Sequence, residues 1–168
     1  MGRIVRFSIL LLIIALYVVY GAPAWLAGTD APYMQRAALY SFFHANAWHL
    51  AVNGLAVWTV FSPKRKGMGR ELLLSYLIAV LVYPVSLRPV IGFSNILFAT
   101  LGQRTPALSN RWWRTPPVIL FLVLMFALLL FPQFSALTHI FSFALGMLIA
   151  ACRRGINSLL KDARRFIR

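Results

Sequence analysis

The residues that could do chemistry are few: three histidines, His44, His49 and His139, and one serine, Ser94, entered through Ile91-Gly92-Phe93-Ser94-Asn95. A serine becomes a nucleophile when a nearby base takes its proton. Gly92 lets the backbone turn tightly there and approach other groups closely. Ser94 then falls at or near a helix N-terminus, where free N–H groups and the positive dipole end can stabilise an oxyanion. Taken alone, Ser94 reads better as an ordinary N-cap. His139 is followed on its own helix face by Ser142 and Gly146, and small residues let another helix come close. Gly102, eight residues after Ser94, offers a matching small surface. Packing these faces together would bring His139 within hydrogen-bond reach of Ser94. It could then take the serine proton and later protonate a leaving amine. Taken alone, His139 reads better as a buried polar contact between helices.

His49 and Asn53 are four residues apart, share a helix face and can both donate into a cavity. With His44 they form a polar set near the outer end of one helix. The competing reading is structural glue between helices. No Asp or Glu lies inside the apolar segments to orient His139, and Glu71 is at the opposite end of its segment. The catalytic unit would therefore be a Ser–His dyad, a variant of triad logic.

These residues must be positioned by elements that suit lipid. The chain is 61% hydrophobic and 12% charged over 168 residues, which a soluble domain of this size could not bury. Six apolar segments can be marked: about 7–20 (continuing towards 26), 39–61, 72–87, 94–101, 117–131 and 134–151. The expectation is an all-α, polytopic, six-transmembrane-helix bundle in one domain, 1–152, with a basic tail, 153–168. The fourth segment is too short to span alone and must be shielded by its neighbours. Prolines such as Pro63, Pro84, Pro89, Pro106 and Pro132 stand near segment ends, as helix breakers should. The stretch 104–114, with Trp112 and Trp113, reads as an interfacial loop.

The net charge of +14 would suggest nucleic acid in a soluble protein, but here the charges cluster between apolar runs and read as membrane anchors. No nucleic-acid partner is expected. Arg3 and Arg6, the Lys64–Arg70 loop, the Arg104–Arg114 loop and the tail all fall on one side in a six-helix topology. The other side holds only Arg36 and Arg88. Both termini would therefore be cytoplasmic. The tail places Ile156, Leu159, Leu160, Ala163 and Ile167 near one face, which suits an amphipathic helix on an anionic inner leaflet. The start of the chain, with Ala22-Pro23-Ala24 after an apolar run, also resembles a secretory signal peptide. The single cysteine, Cys152, excludes an intrachain disulfide and gives no metal site by spacing. No cofactor is expected.

The set of motifs resembles the rhomboid intramembrane serine proteases. His44-x4-His49-x3-Asn53 resembles the family's His-x4-His-x3-Asn. Gly92-Phe93-Ser94-Asn95 is similar to its Gly-x-Ser-Gly, and His139-x2-Ser142-x3-Gly146 to its His-x2-Gly-x3-Gly. Arg36, eight residues before His44, resembles an arginine of the family's first outer loop. The resemblance covers essentially the whole chain as a minimal six-helix core. It implies that Ser94 is nucleophile and His139 general base. His49, Asn53 and the Ser94 N–H would form the oxyanion hole, with Phe98 stacked near His139 and His44 and Arg36 mainly structural. The substrate would be a transmembrane protein cut near the outer membrane face, and a bacterial inner membrane is the expected location. The chain departs from the pattern at Asn95, which brings a Cβ and a polar side chain beside the oxyanion site, at Ser142, which is still small, and in a short first outer loop. A catalytically inactive, rhomboid-like protein that binds membrane helices is the alternative. A small transporter with a histidine proton relay ranks last.

Overall fold

The computed structural model describes residues 2–23, 33–61, 67–85, 91–105 and 136–166. The regular elements among them are all helical. They are α1 (Gly2–Tyr20), α2 (Tyr33–Leu39), α3 (Ala47–Val60), α4 (Met68–Val82), α5 (Ser94–Arg104) and α6 (Ala136–Phe166). Single 3-10 turns follow α2 at Tyr40–Phe42 and α4 at Tyr83–Val85. Three described stretches are long and apolar enough to cross a bilayer: Arg3–Tyr20, Met68–Val85 and Ala136–Lys161. The fifth apolar segment, 117–131, lies outside the described residues, as does most of the loop 104–114.

The second apolar segment is not one helix. After the 3-10 turn the chain is extended at Phe43, and α3 starts only at Ala47. The cause is Asn46, an extended residue (φ −163°) whose side chain accepts a hydrogen bond from the His49 N–H at 2.8 Å. That is an N-cap, and it satisfies a donor that would otherwise be bare in lipid. His44 therefore lies on the link before α3. The expectation that it shares a helix with His49 and Asn53 is corrected.

The short helix is the centre of the molecule. From Asn95 to Arg104 every residue of α5 is buried. Ile96 and Leu97 join Ile9 and Ile13 of α1, Val57 of α3 and Ala79 of α4 in one apolar cluster. α1 also fastens to α3 at its N-terminal end. There the Arg6 guanidinium lies 3.6 Å from the Trp58 ring centroid and donates to the Trp58 carbonyl at 3.2 Å. The contact combines a cation–π attraction with a satisfied donor.

The far end of α5 carries a polar network. Arg104 grips Glu71 of α4 with two bonds, Nε to Oε1 at 2.9 Å and Nη2 to Oε2 at 2.7 Å, and its Nη1 donates to the Val60 carbonyl. Gln103 donates to Ser75 Oγ at 2.8 Å, and Ser75 Oγ bonds Thr100 Oγ1 at 2.8 Å. Arg104 is thus an internal ion-pair partner, which corrects its assignment to the interfacial loop. Removing one partner of a buried pair strands the other charge, at a cost of about 3–5 kcal/mol. Glu71→Ala is expected to lower the unfolding midpoint sharply in detergent titrations. Glu71→Met combined with Arg104→Leu should lose much less, because no charge is stranded. Equal losses would show that packing volume, not charge, governs this site.

α6 does not stop at the expected membrane boundary. It runs unbroken for 31 residues, about 46 Å at 1.5 Å per residue, and includes the basic tail through Phe166. Residues 151–161 on that extension are exposed.

Candidate active site

The turn into α5 is built around Gly92. Its φ of +128° is a backbone setting that side chains disfavour. There is also no room for a side chain. A Cβ at this position would stand 2.7 Å from His49 Nε2 and 3.3 Å from Asn53 Nδ2. These two side chains of α3 therefore come up directly against the turn that carries Ser94. Asn53 is buried, and its Nδ2 has no hydrogen-bond partner among the described residues. Such an orphan donor is costly in an apolar interior unless an acceptor arrives to meet it.

Phe93 occupies the N-cap position of α5 and makes no side-chain cap bond. Ser94 is the first residue inside the helix, so the reading of it as an N-cap is set aside. Its hydroxyl instead meets His139: Ser94 Oγ and His139 Nε2 are 2.7 Å apart. His139 sits in the first turn of α6 and is buried. Phe98, one turn after Ser94, sets its ring centroid 4.8 Å from that of His139 at 58°, a tilted contact rather than a parallel stack.

Small residues bring α5 and α6 together. Gly102 lies against the Phe143 carbonyl, and Gly146 against the Ala99 carbonyl. A Cβ at either glycine would overlap these backbone atoms. Ser142 is fully buried on the same face.

The other predicted residues lie around this centre. His44 is fully buried, with its ring edge-on to His49 at 5.3 Å between centroids. Arg36 is half-buried in α2. Asn95, expected beside the oxyanion site, has a partner of its own. It is fully buried, and its Nδ2 donates to the Tyr40 hydroxyl at 2.9 Å. Tyr40 was not singled out from sequence. The available signal was a tyrosine within an apolar run, whose hydroxyl must find a partner when buried.

A family model described as Rhomboid domain matches residues 32–155, a span that contains every site residue above. Comparison with curated proteins and with solved structures returned no match. The match spans most of the chain: it is an integral membrane protein and a member of the rhomboid family, which is generally made of intramembrane serine proteases and includes inactive members.

Proposed function

We propose that this chain is an active intramembrane serine endopeptidase that cleaves transmembrane substrates near the outer membrane face through a Ser94–His139 dyad. The 2.7 Å contact between Ser94 Oγ and His139 Nε2 carries this reading. With its proton on Nδ1, His139 accepts the Ser94 proton at Nε2 as Oγ attacks the scissile carbonyl carbon. The negative oxygen of the tetrahedral intermediate is met by the Ser94 N–H, His49 and Asn53. As the intermediate collapses, the C–N bond breaks and His139 gives its proton to the departing amine. Water then attacks the acyl-enzyme ester, His139 takes a proton from it, and Ser94 regains its hydrogen as the new carboxylate leaves. Phe98 supports the imidazole ring, while His44 and Arg36 are mainly structural, His44 by packing its ring edge against His49.

The charge pattern supports six spans with both termini in the cytoplasm, and the bare six-helix size favours a bacterial inner membrane. The basic, apolar-faced end of α6 suits an anionic inner leaflet. The alternative, a non-catalytic binder of membrane helices, drew its main support from Asn95 beside the nucleophile. The bond of Asn95 to Tyr40 gives this residue a structural task and weakens that support.

A serine-directed fluorophosphonate probe tests the proposal on the protein in lipid vesicles. The expected result is one covalent adduct per chain, abolished by Ser94→Ala. Absence of the adduct, under conditions where an active relative is labelled, would give preference to the binder.

A further inference from the structure

The nucleophile turn needs a brace. Phe93 gives α5 no side-chain cap, and first turns of helices are where fraying begins. Gly92 adds a flexible joint two residues before Ser94. Tyr40 holds this turn at two points. Its main-chain carbonyl accepts the Gly92 N–H at 2.9 Å, and its hydroxyl accepts Asn95 Nδ2 at 2.9 Å. The two bonds bracket Ser94 on either side. The same hydroxyl donates to the Ala79 carbonyl of α4 at 2.9 Å, which ties the brace to a membrane-long helix. Tyr40 is fully buried, and its ring lies against Tyr83 at 4.9 Å between centroids. In such surroundings the donor and acceptors have no water to turn to, so letting go is costly.

We infer that Tyr40 and Asn95 are positioning residues for the nucleophile: together they clamp the first turn of α5 so that Ser94 Oγ stays in reach of His139. The inference rests on Ser94 being the nucleophile. It gives a task to the residue by which this chain departs from Gly-x-Ser-Gly, because a glycine after the serine could not make the bond. Neither side chain takes part in proton transfer. They act by holding geometry, and an error of about 1 Å in a reacting pair can cost about a hundredfold in rate.

The test uses Tyr40→Phe, which keeps the ring and the carbonyl but deletes the hydroxyl, and Asn95→Ala, which deletes the donor without adding bulk at this buried position. Both variants, their combination and the wild type are compared in lipid nanodiscs. Two quantities are read: amide hydrogen exchange across residues 91–98, and the kinetics of substrate cleavage and fluorophosphonate labelling. Each single variant is expected to speed exchange in that segment about tenfold and leave α4 and α6 protected. Each should lower kcat about tenfold with little change in KM, and the combination should be no worse than the worse single variant. Unchanged exchange in both variants, or faster exchange with unchanged kcat and labelling rate, overturns the inference while leaving the protease reading intact. A wild type that is not labelled overturns that reading, and the positioning role with it.

Discussion

His139→Ala is expected to slow both fluorophosphonate labelling of Ser94 and cleavage of a transmembrane substrate by about ten-thousandfold or more. The reason is the poverty of the site. Among the described residues, only His139 is placed at 2.7 Å from Ser94 Oγ to receive its proton. Glu71, the buried carboxylate among the described residues, is no substitute, because it is engaged by Arg104 at the other end of α5, ten residues from Ser94 and so about 15 Å along the helix. A serine hydroxyl without its base is a weak nucleophile. The measurement is a labelling time course by intact mass, with circular dichroism to show that the helices persist. Labelling within tenfold of the wild type would remove His139 from the mechanism and reopen the structural account of it.

The second large effect is expected at the contact between α5 and α6. Gly102→Ala sets a methyl group into the Phe143 carbonyl, with Phe143 C at 2.9 Å and Met147 N at 3.0 Å. These are backbone atoms, so no rotamer change can relieve the overlap and the helices must part. Overpacking of this kind costs about 1–3 kcal/mol in stability. The loss in catalysis should be larger, because Ser94 and His139 sit on the two helices that separate. A shift of about 1 Å is worth about a hundredfold. Gly146→Ala should act alike, since its methyl would meet the Ala99 carbonyl from the opposite side. Gly155→Ala is the internal control. It lies farther along α6 with nothing within 4 Å of an added Cβ, and should be neutral or stabilising by up to about 1 kcal/mol. Cleavage kinetics and thermal unfolding of the three variants check this. Similar behaviour at all three positions would show that close approach of α5 and α6 is not what holds the dyad.

Much of the candidate site could be proposed from sequence because chemistry narrows the choice of residues. Ser94, His139, His49 and Asn53 are among the few polar groups in apolar surroundings, and Gly102, Ser142 and Gly146 mark helix faces by spacing alone. Hydropathy, by contrast, reports the solvent and not the backbone. The run 39–61 is apolar enough to look continuous, yet Asn46 restarts the helix by capping it. Sequence neighbours are also poor guides to shared space on a helix. Asn95 adjoins Ser94 in the chain, but successive helical residues are rotated by about 100°, and that turn carries Asn95 round to Tyr40. Arg104 looked like one more flanking cation because its partner, Glu71, is distant in sequence. The tail was drawn separately because the apolar run ends near 151 and basic residues follow. A helix interior tolerates one glycine at about 1 kcal/mol, and α6 passes through Gly155.

The burial of α5 also decides what this site can sense. Helices that face lipid tilt or shift when the hydrocarbon layer changes thickness. α1 and α6 expose apolar side chains such as Leu11, Val18 and Leu148 and would register such mismatch first. The helix that begins at Ser94 touches protein over almost its whole surface and is anchored at its far end by Glu71 and Ser75. Its register is set by its neighbours rather than by the membrane, so Ser94 is sheltered from the elastic state of the bilayer, and a change in thickness would reach the Ser94–His139 contact through α6.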